Sequence, residues 1–262
     1  MKLNNEINNK IEDQIKNGYD LDLGIIIDKS LAIYKKVVWK AGLGYILVFG
    51  IVMIIGLILA MTIQDETLLE QFKEISQDPN FLYKNPTLLA YLLIGGLIIN
   101  MIFIPLNAGF FNLCHLANTN QEFTTLNIFD FYTSRYLKNL VIGSLLIAVV
   151  TTSLTTVLDM VNLKIVSFII QISFTLFTIL FVPLVIYANQ SIGNAIKKSI
   201  QLVMKSPFTI LGALIIGILF LLAGLLGLCI GILFTIPFIS CIQYTVYESI
   251  VGFENETTET TN

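Results

Sequence analysis

The chain has 262 residues, 55% of them hydrophobic and only 13% charged, against about 25% charged in a soluble domain, and its mean hydropathy is +0.81. An apolar excess of this size has to be hidden in lipid, which puts the chain in the membrane class. The formal net charge is −3, and the lysines flank apolar stretches without forming a basic patch interleaved with aromatics, so no nucleic-acid partner is expected.

Residues 1–20 read as a polar N-terminal segment without the apolar core or small-residue cleavage site of a secretory signal. A bilayer core of about 30 Å needs roughly 20 apolar residues in a helix. Six stretches meet that requirement, at 41–63, 88–113, 140–158, 165–188, 208–226 and 228–247. The last two come from one uncharged run, divided by a hairpin expected at 224–227 because the run is too long for one crossing. The loop 64–86 carries Asp65, Glu66, Glu70, Glu74 and Asp78 and predicts a short surface helix; the tail 253–262 is polar and predicts disorder.

The fold class expected is therefore all-α, a polytopic bundle with one transmembrane domain over residues 21–252. Each odd-numbered span is preceded by an amphipathic lead segment, at 21–40, 126–138 and 192–205. In the third, Ile192, Ala195, Ile196, Ser199, Ile200, Val203 and Met204 form an apolar stripe. Such segments suit the membrane interface, where Lys35, Lys36, Lys197 and Lys198 would meet anionic lipid headgroups; packing against the bundle is the equal alternative. Each even-numbered span carries one proline shortly after a phenylalanine, at Pro105, Pro183 and Pro237. Proline removes a helix hydrogen bond and clashes with the preceding turn, so each helix should kink there. The result is a unit of lead segment, straight span, loop and kinked span, present three times. Three kinks would line a cavity toward the cytoplasm, unless they are simply the prolines that membrane helices tolerate.

Lysine and arginine set orientation. With the N-terminus inside, the inner segments hold twelve, from Lys2 to Lys205, and the outer loops hold Lys73, Lys84 and Lys164. A bacterial cytoplasmic (inner) membrane location with both termini cytoplasmic follows as the expectation.

No span carries an ionisable residue near its centre, which argues against a proton pump or voltage sensor. Uncharged polar residues do occur inside, and Asn100, Asn107, Thr151, Thr152, Thr155, Thr156, Gln171 and Gln243 are the candidates for a polar pathway; interhelical hydrogen bonds and back-bonds to the helix are the competing use. His115 is the sole histidine, and Cys114, Cys229 and Cys241 lack metal or disulfide spacing. There is no GxSxG, HExxH, Walker loop or carboxylate pair. No enzyme activity, cofactor, catalytic residue or metal site is expected.

The stretches Ile33-Tyr34-Lys35-Lys36 and Phe129-Asp130-Phe131, residues 181–205 (FVPLVIYANQSIGNAIKKSIQLVMK), and residues 237–248 ending in Tyr247-Glu248 resemble a broad bacterial family of six-helix membrane proteins. That family is related to the membrane domain attached to some glycerophosphoryl diester phosphodiesterases. The resemblance implies a six-helix fold and no assigned activity, and no phosphodiesterase domain is present in this chain. Two functions are carried forward: a non-enzymatic membrane-organising or accessory protein, and a transporter or channel for an uncharged or lipid-like solute. Membrane lipids are the expected partners, with a protein partner or a second copy left open.

Overall fold

The computed structural model describes residues 2–62, 66–78, 81–226 and 228–253. The described residues are almost wholly helical. A polar helix, α1 (Lys2–Asn17), is followed by α2 (Leu23–Thr62), α3 (Glu66–Gln77), α4 (Phe81–Lys84) and α5 (Pro86–Asn118). After a 3₁₀ helix (Thr125–Tyr132) come α6 (Leu137–Met160), α7 (Lys164–Phe177), α8 (Phe181–Ile186), α9 (Ile192–Val203), α10 (Pro207–Leu225) and α11 (Leu228–Ile250). Among the described residues five helical stretches are long and apolar enough to cross a bilayer: Leu23–Ile58, Pro86–Asn118, Leu137–Met160, Lys164–Ile186 and Pro207–Leu225. The sixth predicted span corresponds to α11, which packs between α2, α5 and α10 and buries Phe238, Cys241, Ile242, Tyr244, Val246 and Tyr247 completely.

Local chemistry sets the helix ends. Asp22 Oδ1 accepts from the Ile25 amide at 2.9 Å and opens α2, and Asn85 Oδ1 accepts from the Leu88 amide ahead of Pro86 in the first turn of α5. Asn162 turns α6 into α7 with a φ of 59°, a left-handed conformation that asparagine tolerates. At the expected hairpin α10 ends at Leu225 and α11 begins at Leu228. A methyl added at Gly231 would lie 2.2 Å from the Gly224 carbonyl oxygen, so the two helices touch there through bare backbone.

The three lead segments do not share one form. The first is continuous with its span, giving the 40-residue α2, because nothing between Leu23 and Thr62 breaks the helix. The second is the 3₁₀ helix, held by Thr124, whose backbone and side chain both donate to Asn127 Oδ1. The third is the separate helix α9, whose predicted stripe is turned partly inward: Ala195, Ser199 and Val203 are buried, Ile192, Ile196 and Ile200 half-buried, and Met204 exposed. Residues 1–20, read as a polar N-terminal segment ahead of the transmembrane domain, contain α1, which packs on α9. Ile11 is fully buried there, with Ile7 and Ile15 one turn to either side partly covered. Tyr19 closes the joint by donating to the Leu202 carbonyl at 2.6 Å, and burial pushes its phenol well up from the ordinary tyrosine value.

The threefold unit reappears in the hydrogen bonds. Tyr132, at the end of the second lead segment, donates to the Ile102 carbonyl at 2.5 Å, three residues before Pro105 in the kinked span of the first unit. Ser199, in the third lead segment, donates to the Phe177 carbonyl at 2.7 Å and accepts from the Leu180 amide at 3.2 Å, in the kinked span of the second. Tyr34, in the first lead segment, donates to the Phe234 carbonyl at 3.1 Å, three residues before Pro237 in the kinked span of the third. Each lead segment thus tethers the weakened backbone of the preceding unit, and the first closes the ring on the last.

Candidate functional site

A cavity of about 650 Å³ lies between α5, α6, α7, α8, α10 and α11, inside the range of roughly 300–1,000 Å³ typical of small-molecule sites. Along α5 it runs from Leu92 to Asn107, about 22 Å at the rise of an α-helix. Most of its wall is apolar, with Leu93, Ile104, Ile147, Phe174, Leu214 and Ile239 contributing from five helices. Among the described residues none of its lining groups is acidic, basic or histidine.

Most of the polar minority comes from sequence-predicted candidates, and Ser144, Thr175 and Thr178 complete it. Asn100, Asn107, Thr151, Thr152, Gln171 and Gln243 all line this one cavity. Thr155 and Thr156, one turn further along α6, do not; Thr155 donates back to the Thr151 carbonyl at 3.0 Å. The lining hydroxyls have already committed their protons: Thr151 to the Ile147 carbonyl, Thr152 to Ala148 and Thr178 to Phe174, at 2.7–2.8 Å. Back-bonding of this kind leaves the hydroxyl oxygen with accepting capacity only. Gln243 gives its Nε2 to the Ile179 carbonyl at 2.5 Å. Asn100 and Asn107 differ from the rest, because the Oδ1 of each is buried with no hydrogen-bond partner. An unsatisfied buried acceptor costs about 1–3 kcal/mol, a cost that a half-turn of either amide toward the cavity would let a ligand group recover.

The lining side chains fall into two tiers. Asn107 and Asn100 on α5, Ser144 and Thr151 on α6, and Thr178 and Gln171 beside and within α7 each stand seven residues apart, nearly two helical turns or about 10 Å. The register of α6 on α7 is fixed by Ser167, which donates to the Thr155 carbonyl at 3.4 Å. Counting back one turn on each antiparallel helix places Thr151 level with Gln171, and two further turns place Ser144 level with Thr178.

The wall also contains a broken helix. Between α7 and α8 the residues Thr178, Ile179 and Leu180 are a turn, and Pro183 sits in the first turn of α8 with no amide to offer the Ile179 carbonyl. Irregular backbone is tolerated at membrane depth where it is enclosed by protein or lines a cavity; here Thr178 and Ile179 line it, and Gln243 and Ser199 supply the missing partners.

The three predicted kink residues stand behind the wall. Pro105, Pro183 and Pro237 are buried and do not line the cavity, whereas their neighbours Ile104, Val182 and Ile239 do; the prolines face the core that the lead segments close. The cavity extends toward Leu92, away from the end that carries α1 and α9. Of the lysines expected at headgroups, Lys36 donates to the Ala117 carbonyl and to Asn120 Oδ1 at 3.1 and 2.8 Å, at the C-terminus of α5. Lys198 donates to Asn8 Oδ1 at 3.3 Å and lies 3.9 Å from Glu12 Oε1. Lys35 and Lys197 are exposed. His115 packs in an aromatic cluster with its ring 4.4 Å from Phe253 and 5.1 Å from Tyr187.

Fold and site together define a multi-pass, all-helical membrane protein with a cavity between its helices that carries no charge among its described lining residues. Comparison with protein-family models, with curated proteins and with solved structures returns no match.

Proposed function

We propose that the chain is a non-enzymatic carrier for an uncharged, lipid-like molecule, held in the cavity between α5, α6, α7 and α11 and passed through a bacterial cytoplasmic membrane with both chain termini inside. The observation that carries this reading is the cavity itself: about 650 Å³, apolar over most of its wall, free of lining charge among the described residues, and furnished with uncharged polar groups from several helices. A charged solute would lose its hydration against such a wall without a counter-ion, while an amphiphile would match both kinds of surface. The broken α7–α8 helix supports the same reading, since discontinuous helices beside a mid-membrane site are a recurrent feature of transporters. The resemblance to six-helix bacterial membrane proteins supports the location.

The test is reconstitution of the full chain into liposomes carrying a fluorescent short-chain neutral lipid, with exchange between leaflets followed by back-extraction. The wild type should accelerate exchange, and Gly96→Phe should abolish the acceleration. Gly96 lines the cavity, and a Cβ built there meets nothing within 4 Å, so a phenylalanine at this position starts from open space on the cavity wall. Equal rates for wild type, variant and empty liposomes would overturn the carrier reading and favour a membrane-organising or accessory role.

A further inference from the structure

We infer that the ligand of this cavity is an uncharged lipid bearing a free hydroxyl, recognised through Asn100 and Asn107; the inference rests on the carrier reading and specifies its substrate class. Thr151, Thr152, Thr175 and Thr178 have given their protons to carbonyls of their own helices, and Gln243 has given an amide hydrogen to Ile179. The buried polar atoms of the wall left without a partner are the side-chain oxygens of Asn100 and Asn107.

An amide combines a carbonyl acceptor with an NH₂ donor, and a half-turn about χ2 exchanges the two ends. The neutral group that answers either end is a hydroxyl, which donates once and accepts twice. An ester or ether oxygen accepts only, so it would leave the asparagine oxygen unmatched. A phosphate or ammonium headgroup would bring a charge into a wall without a counter-ion among its described lining residues. The apolar majority of the wall, with Leu93, Ile104, Phe174, Leu214 and Ile239, suits the hydrocarbon portion of the same molecule.

The two asparagines stand nearly two helical turns apart, a separation of about 10 Å. A single glycerol-sized head cannot meet both at once. They therefore act as two successive stations along α5, facing the α6–α7 tiers of Ser144 with Thr178 and Thr151 with Gln171 across the same cavity. A hydroxyl leaving one tier finds an equivalent set at the next, so the head crosses the cavity without being stripped of hydrogen bonds.

The experiment is native mass spectrometry of the full chain in detergent with three probes of equal acyl length: a diacylglycerol, its O-methyl ether and the corresponding phosphatidic acid. Diacylglycerol should bind at least tenfold tighter than the ether, because a site built to pair a hydroxyl strongly rejects the analogue that lacks it, and phosphatidic acid should bind no better than the ether. Asn107→Leu and Asn100→Leu should each reduce diacylglycerol binding, and the double variant should bind diacylglycerol and ether alike. Gly96→Phe, which leaves both asparagines in place, should remove binding of every probe. If diacylglycerol and ether bind wild type equally while Gly96→Phe blocks both, the carrier reading stands and the hydroxyl assignment is overturned. If no probe binds, or if binding survives Gly96→Phe, both fail together.

Discussion

The side-chain amide of Gln243 on α11 donates to the carbonyl oxygen of Ile179 at 2.5 Å, and Ile179 is four residues before Pro183, the position whose missing amide would otherwise have bonded that oxygen. One helix supplies by side chain what another has lost from its backbone. The pairing holds the α7–α8 break open at the cavity wall and ties it to the central helix of the bundle.

Gln243→Leu should therefore lower stability by about 1–3 kcal/mol, the cost of leaving a buried acceptor unpaired. Pro183→Ala restores the amide and should reduce the cost of Gln243→Leu, so the two substitutions should be non-additive by about 0.5–3 kcal/mol. Thermal melting of the four proteins of the cycle in one detergent measures this. Additive losses would show that Gln243 stabilises the bundle by some other route.

The ring of tethers makes a second prediction. Tyr132→Phe and Tyr34→Phe each remove one hydrogen bond to the backbone near a proline and Ser199→Ala removes two, and each bond lost should cost about 0.5–1.5 kcal/mol. Tyr91 is 67% exposed and lacks such a bond, so Tyr91→Phe should leave the melting temperature unchanged. A loss at Tyr91 equal to the others would mean that the aromatic hydroxyl matters for reasons unrelated to the tethers.

The sequence carried the larger part of this architecture because its signals were long and physical. Twenty-residue apolar runs, Asn85-Pro86 before α5 and the prolines themselves each state a local rule that lipid cannot override. It also named six residues that line one cavity, since a polar side chain in an apolar run needs a reason to be there. What it could not state was partnership. The link from Gln243 to Ile179 joins residues 64 apart, and nothing in either segment names the other. The lead segments left two uses open for a related reason: amphipathicity fixes which face is apolar, while whether that face meets lipid or protein depends on what lies beside it, and for α9 it is the bundle and α1. The isoleucines at 7, 11 and 15 were the available sign that the first twenty residues would dock.

Glycine substitutions separate close backbone contacts from unused space. A methyl at Gly109 would fall 2.0 Å from the Ile128 carbonyl oxygen and 2.6 Å from its Cα, so the 3₁₀ helix would have to move as a unit. Gly109→Ala should destabilise by about 1–3 kcal/mol, as overpacking does. At Gly50 and Gly56 in α2 a methyl meets nothing within 4 Å, and alanine there should be neutral or stabilising by up to about 1 kcal/mol. Equal tolerance at all three positions, read by melting temperature, would contradict the packing of α5 on the 3₁₀ helix.

The proposed orientation is tested by accessibility in cells. Glu74 on α3 and Asn194 on α9 are both exposed and belong to opposite ends of the bundle, because α2 and α5 separate the loop that holds α3 from the end that holds α9. With the native cysteines replaced, Glu74→Cys should react with a membrane-impermeant maleimide in intact spheroplasts, and Asn194→Cys should react only after the membrane is opened. The twelve lysines and arginines assigned to the inner side require that order, since positive charge is retained in the cytoplasm. The reverse order would invert the chain and put the α1–α9 end outside; it would leave the cavity intact but turn its Leu92 end toward the cytoplasm.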